Sequence, residues 1–186
     1  MNVDEAPLEA TESGLWPTGE GWFVVNARDA RWTGGEPFGA QCAFEGPWPA
    51  GAFRDLGIKL CVLQPGQPNC VYHREAQQED FLVLTGACLL LVEGQERPLR
   101  AWDFVHCPPN TDHVFVGAGE GPCVIVMVGA RLDDEGLFFP VSELARRYGA
   151  SVEQDTASGD EAYAHGFPGR EPGRPDSWDE LPWARP

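Results

Sequence analysis

The chain has 186 residues, with 13 basic and 29 acidic side chains and a net charge of −16. That length suits one well-cored domain with extensions. The acidic excess argues against nucleic acid and anionic membrane surfaces as partners, since both need basic patches, and no apolar run approaches the ~20 residues that span a bilayer.

Residues 1–20 begin "MNVDEAPLEATESG", acidic and without the basic start and apolar core of a signal peptide, so a cytoplasmic location is expected. Pro7, Gly14, Pro17 and Gly19 interrupt this stretch, no period is visible, and a disordered leader is expected. From Trp22 to about Met127 short runs of β-branched, aromatic and leucine residues alternate with Gly, Pro, Asn and Asp. They predict strands near 22–26, 40–45, 57–64, 70–75, 79–85, 87–92, 96–100, 103–107, 112–116 and 122–128. "EGQE" (93–96) reads as a hairpin turn, with Gly94 supplying the unusual backbone angle. One helix follows, at 142–148, with Ser142 as N-cap, Glu143 in the first turn, Arg146 and Arg147 near the end and Gly149 as the stop. Residues 151–186 are rich in Pro, Gly and acid, yet carry Tyr163, Phe167, Trp178 and Trp183. That is too aromatic for a solvated tail, and the segment is expected to lie over the domain or a neighbouring subunit.

This pattern is all-β and antiparallel, a sandwich or barrel over 21–131, followed by a helix and irregular tail over 132–186. "FLVLTGACLLLV" and "CVIVMV" are apolar at consecutive positions, so both faces of those strands leave water. A second subunit is the economical cover for the outer face, and a homodimer is expected. No helix-turn-helix lies beside the strands, which argues against a fused transcriptional regulator. The six cysteines, at 42, 61, 70, 88, 107 and 123, form no C-x-x-C pair. Cys61, Cys88 and Cys123 sit among Leu, Val and Ile as small buried residues. Cys70 and Cys107 flank more polar stretches, and their role stays open.

The chemistry concentrates in "CVYHREAQQEDFLVLTG", residues 70–86. Residues two apart on a strand share a face. His73 and Glu75 therefore point together, Ala76-Gln77-Gln78 turns the chain, and Glu79 returns to the same point, with Asp80 on the opposite face. His113 follows the rigid Pro108-Pro109-Asn110 turn and offers a second imidazole. Two imidazoles and one or two carboxylates suit iron, manganese, nickel or zinc, with positions left for water or substrate. A metal-free network, in which the histidines hydrogen-bond the two glutamates and one carboxyl keeps its proton, satisfies the same residues. The metal reading is favoured because all four positions hold ligating residue types. Phe81 and Phe115 share strand parity with Glu79 and His113, and line the pocket or belong to the core. His106 and His165 read as surface or hydrogen-bonding histidines.

These residues resemble the cupins. Their first motif reads G-x5-H-x-H-x3-E-x6-G, and Gly66, His73, Glu75, Glu79 and Gly86 follow it, with His-x-Glu for His-x-His and one extra residue after the first glycine. Their second reads G-x5-P-x-G-x2-H-x3-N, where Trp102, Pro108, Asn110, His113 and Gly117 stand. Proline and histidine hold there, three positions differ, and Asn110 still tolerates a left-handed backbone. Fifteen residues separate Gly86 from Trp102, similar to bacterial single-domain cupins. The resemblance spans roughly Leu60 to Arg131. It implies a jelly-roll β-barrel, often dimeric, with one divalent metal ion on His73, Glu79 and His113; Glu75 takes the place of the usual second histidine. The resemblance fixes no reaction; the function expected from the site is a mononuclear metal enzyme, of dioxygenase or isomerase-like type, acting on a small organic molecule in the barrel. The alternative is a non-catalytic binding or sensor cupin, with or without a metal, because the fold hosts many reactions.

Overall fold

In the computed structural model, which describes residues 2–47, 49–131, 136–164 and 171–184, strands dominate. In chain order they are β1 (Leu8–Thr11), β2 (Gly14–Pro17), β3 (Trp32–Gly35), β4 (Phe38–Ala43), β5 (Leu56–Leu63) and β6 (Glu79–Thr85). Then follow β7 (Ala87–Val92), β8 (Gln95–Arg100), β9 (Phe104–Cys107), β10 (His113–Ala118) and β11 (Cys123–Ala130). The helices α1 (Glu143–Arg146) and α2 (Gly159–Tyr163) and the short β12 (Glu171–Pro172) complete the chain with two single-turn 3-10 helices.

A seven-stranded sheet runs β12-β3-β4-β5-β11-β6-β9, and a three-stranded sheet runs β10-β7-β8. Pairings within both are antiparallel. Their facing surfaces enclose one core. Cys61 and Leu63 of β5, Phe81 and Val83 of β6, and Ile125 and Met127 of β11 meet Cys88 and Leu90 of β7 and Phe115 of β10. This is the expected antiparallel jelly-roll barrel.

The consecutive apolar runs are explained by cover on the outer faces. On the seven-stranded sheet, Trp32, Cys42, Leu60, Val62 and Val124 pack against Leu181, with Trp178, Trp183 and Leu84 partly buried beside them. Trp32 meets Trp178 and Trp183 at centroid distances of 5.5 and 5.4 Å. On the three-stranded sheet, Leu91, Val114 and Val116 pack against Tyr72, Ala145 and Ala150. The chain's own C-terminal segment thus supplies cover, for Leu84 in particular, that sequence reasoning assigned to a second subunit. No described helix is long and apolar enough to cross a membrane.

Most predicted strands are present, but the leader, 22–26 and 70–75 differ, and β3 and β12 form where no strand is expected. The leader is not a loose coil: β1 and β2 form a hairpin, closed by Thr11 Oγ1 donating to the Gly14 carbonyl at 2.7 Å. It docks on the body through Leu15 N–H to Asp29 O and Arg31 N–H to Leu15 O, so backbone hydrogen bonds replace the missing apolar period. The stretch 22–26 forms no strand, and Trp22 only bridges Glu5. The stretch 70–75 makes two isolated bridges, His73 to His113 and Arg74 to Phe138, instead of a continuous strand. The β7–β8 turn is Glu93-Gly94 with φ of 48° and 72°, a pair of left-handed residues that matches the twist of a hairpin. Helix α1 carries the expected cap, with Ala145 N–H donating to Ser142 Oγ at 3.2 Å, and Gly149 has φ 69°. All six cysteines are free. His165 and Phe167 lie outside the described residues.

Candidate metal centre

Two backbone devices hold the histidines. His73 N–H donates to His113 O at 3.2 Å and His113 N–H to His73 O at 2.8 Å, so each fixes the other. The turn ahead of His113 is set by Asn110 at φ 67°, whose N–H donates to Glu75 O at 2.7 Å. Asparagine accepts this left-handed angle more readily than most residues. Glu79 opens β6 opposite Cys107 and Gly129.

The imidazole tautomers follow from their partners. His73 Nδ1 lies 2.9 Å from Val71 O and His113 Nδ1 lies 3.0 Å from Thr111 O. A carbonyl only accepts, so each Nδ1 carries the proton and each Nε2 presents a lone pair. Cys70 Sγ stands 3.6 Å from the same His73 nitrogen. The Nε2 lone pairs meet oxygen: His113 Nε2 is 3.4 Å from Glu79 Oε2, and His73 Nε2 is 3.8 Å from Glu75 Oε1. Two ligands bound at about 2.1 Å to one ion stand about 3.0 Å apart at a right angle and about 3.4 Å apart at the tetrahedral angle. The His113–Glu79 spacing matches the tetrahedral value and is long for a direct hydrogen bond, while the His73–Glu75 spacing of 3.8 Å is wider than either value. Ligand atoms of His73, Glu79 and His113 all fall within 4.8 Å of one another. Glu75 stands beside this group and is more exposed than Glu79, 37% against 14% of the side chain.

Burial controls the charges. It pushes His73 down to about 3, aided by the neighbouring His113, and lowers His113 as well, so both rings are neutral at pH 7. It pushes Glu79 up to about 8, reinforced by Glu75, and raises Glu75 too; the Lys59 charge opposes both shifts. Neutral imidazoles and carboxyls that ionise poorly without a cation form a donor set suited to a divalent ion.

The surroundings divide the other candidates. Phe81 packs on His113 at a centroid distance of 5.2 Å and on Phe115 at 4.6 Å, and both phenylalanines are buried core. They form the floor of the site, and neither is among the lining residues of the cavity beside it. Asp80 points away and pairs with the half-exposed His106 at 2.7 Å, as the strand parity predicts. Cys107 lies buried beside Glu79, and burial, with the Glu79 charge, raises its thiol to about 12, so it is inert. The cavity at the site, about 140 Å³, is lined by Glu75, Glu79, Lys59, Met127 and Arg131 among others. Larger clefts of about 450 and 530 Å³, near Arg174 and near Trp16, do not include the histidines or glutamates of the cluster. Sequence reasoning missed Lys59, Arg131 and Phe139, whose buried ring stacks 5.9 Å from His73. For Lys59 the signal was present, as the residue two ahead of Cys61 on a strand. For Phe139 no local pattern pointed to the site.

Two histidines and a glutamate that could hold a metal ion thus converge in a double-sheet antiparallel β-barrel. Residues 59–129 match the family model of the cupin domain, and the chain contains a small cupin domain. Among solved structures it is similar to the polyketide cyclase RemF from Streptomyces resistomycificus (15% identity, 79% of this chain and 94% of that one, TM-score 0.53). It is also similar to a cupin-superfamily sugar phosphate isomerase from Silicibacter pomeroyi (23%, 60% and 76%, TM-score 0.45). A provisionally assigned sugar phosphate isomerase from Acidithiobacillus ferrooxidans shares 32% identity over 43% of this chain, with TM-score 0.41, and the chain spans 53% of its length. No curated protein sequence matches the chain. The likeness to the polyketide cyclase carries the fold and not a reaction.

Proposed function

We propose that this cupin domain binds one divalent metal ion through His73, Glu79 and His113, with Glu75 as fourth ligand, and acts on a small organic molecule at the barrel mouth as a mononuclear enzyme of dioxygenase type. The observation that carries this reading is the pair of Nε2 lone pairs aimed at carboxylate oxygens 3.4 and 3.8 Å away. Lone pair facing lone pair in a buried site is unfavourable unless a cation or proton lies between them. Two imidazoles and a carboxylate are the donor set of non-haem iron oxygenases, and manganese, nickel and zinc suit it also. A redox-active ion held by these residues would supply dioxygen activation. The chain's own residues orient the ion and exclude water: Val71 and Thr111 carbonyls fix the rings, and Phe81 and Phe115 close the floor.

The test is metal analysis of protein purified without chelator or nickel resin, followed by a screen of small organic substrates with and without air. Stoichiometric metal and oxygen uptake with one substrate support the proposal. Stoichiometric metal with air-independent turnover replaces the oxygenase by another metal-dependent reaction. Ligand binding without turnover assigns a binding cupin, and absence of metal overturns the proposal.

A further inference from the structure

We infer that the barrel mouth takes a small organic monocarboxylate whose acid group is held by Lys59. The inference deepens the metal-site reading and rests on it for the charge balance.

Lys59 faces inward by strand parity. On β5 it precedes Cys61 and Leu63 by two and four residues, and both belong to the core between the sheets, whereas Leu60 and Val62 pack on the outer face. Its cross-strand neighbour on β11 is Met127, also a core residue. Lys59 is exposed at the mouth, and it shares the 140 Å³ cavity with Glu75 and Glu79. A ligand reaches it without any opening of the barrel.

The other cation of this cavity is already engaged. Arg131 makes hydrogen bonds to both Glu45 oxygens at 2.7 and 2.8 Å and to Phe53 O at 2.9 Å. Lys59, by contrast, makes no salt bridge among the described residues. Its charge nevertheless reaches the site, since it opposes the effect of burial on both glutamates.

Charge then selects the ligand. A divalent ion cancels Glu75 and Glu79, Arg131 cancels Glu45, the imidazoles are neutral, and Lys59 leaves one positive charge. In a protein of net charge −16 such a local surplus suits a monoanion and has no use for a cation. Size narrows it further. The cavity, about 140 Å³, approaches the ~150 Å³ of an engineered cavity that holds benzene, which sets the ligand near six heavy atoms.

The test is calorimetric titration of zinc-loaded protein at neutral pH with butanoate, its uncharged isostere butanamide, and methyl phosphate. We expect butanoate to bind at least about tenfold more tightly than butanamide, Lys59→Met to lose about tenfold of that affinity, and Lys59→Arg to retain most of it. Zinc affinity of Lys59→Met should equal or exceed that of wild type, and thermal melts confirm folding; if Lys59→Met does not fold, Lys59→Gln takes its place with the same expected loss. Equal binding of butanoate by Lys59→Met and wild type overturns the inference, because the lysine then only offsets the glutamates. Equal binding of butanamide, tighter binding of methyl phosphate, or no butanoate binding at millimolar concentration also overturns it. If zinc itself does not bind, the metal reading has failed separately. The same titrations of metal-free protein then decide: butanoate binding that depends on Lys59 supports the inference, and its absence overturns it.

Discussion

His73 and His113 clasp each other through their backbones, and their ring centroids stand 4.9 Å apart. One residue comes from an irregular stretch and the other from the start of β10. Their spacing is therefore set by a backbone bridge between two segments, and side-chain substitutions around it should change donors without moving the pair.

His113 is 1% exposed and offers a ligand atom to the proposed site, so His113→Ala should nearly abolish metal binding. Glu75→Gln should weaken it about tenfold without abolishing it, as loss of one partly exposed carboxylate does. Calorimetric titration of metal into both metal-free variants measures the difference. If Glu75→Gln binds as tightly as wild type, Glu75 is not a ligand.

Metal loading should depend on pH through Glu79. Burial, reinforced by Glu75, raises this carboxyl to about 8, while burial lowers His73 to about 3. The ion therefore displaces a proton from Glu79 and meets imidazoles already neutral. Affinity should rise by about one logarithmic unit per pH unit and level off near pH 8. Stability of the metal-free protein follows the opposite sign. Between the ordinary 4.5 and about 8 the folded state holds a proton that the unfolded state lacks, so stability falls as pH rises through that window. Glu79→Gln should flatten the trend in thermal melts. A midpoint near the ordinary histidine value would show that the rings titrate instead.

The Glu45–Arg131 pair should have the reverse dependence. Burial raises the Glu45 carboxyl, but the Arg131 hydrogen bond and charge, with help from Phe53 N–H and Lys59, hold it below the ordinary 4.5. Its contribution is present above pH 4.5 and is lost as pH falls through the lower folded value. Arg131→Met should cost about 1.5–3 kcal/mol near pH 7, a figure typical of hydrogen bonds to charged groups. The gap to wild type should shrink in acid. Urea denaturation at two pH values measures it, and a gap that widens in acid contradicts the assignment.

Trp102 stands at the glycine position of the second cupin motif with φ 74° and a residue exposure of 74%. A left-handed angle costs an ordinary residue about 1–2 kcal/mol, and an exposed ring recovers little of that by packing. Trp102→Gly should raise stability by up to about 1 kcal/mol after the added freedom of the unfolded chain is counted. A clear loss of stability in thermal melts would mean that the indole is covered in solution.

Leu181 is 1% exposed against Trp32, Val62 and Val124. Leu181→Ala should cost about 2–5 kcal/mol by chemical denaturation, as truncations of fully buried leucines do. A negligible cost would show that the C-terminal segment is not docked on the sheet.

Several features were legible in the sequence by itself, because each is written in neighbouring residues. Strand period and turn chemistry located β5 to β11, the Glu93-Gly94 turn and the Ser142 cap. Strand parity put Glu79 inside and Asp80 outside, and motif spacing brought His73, Glu79 and His113 together. What the tertiary structure alone decided concerns contacts between distant segments. An apolar run shows that both faces of a strand leave water but not what covers them; here Leu181, Trp178 and Trp183 cover one face and α1 the other. The leader's hairpin rests on backbone hydrogen bonds to Asp29 and Arg31, which leave no apolar period to read. Arg131 and Lys59 differ in what each meets, since Arg131 lies against Glu45 while Lys59 opens on the cavity. Composition records that both are cations, but only the packing of β4, β5 and β11 determines which charge is already matched and which still faces the site.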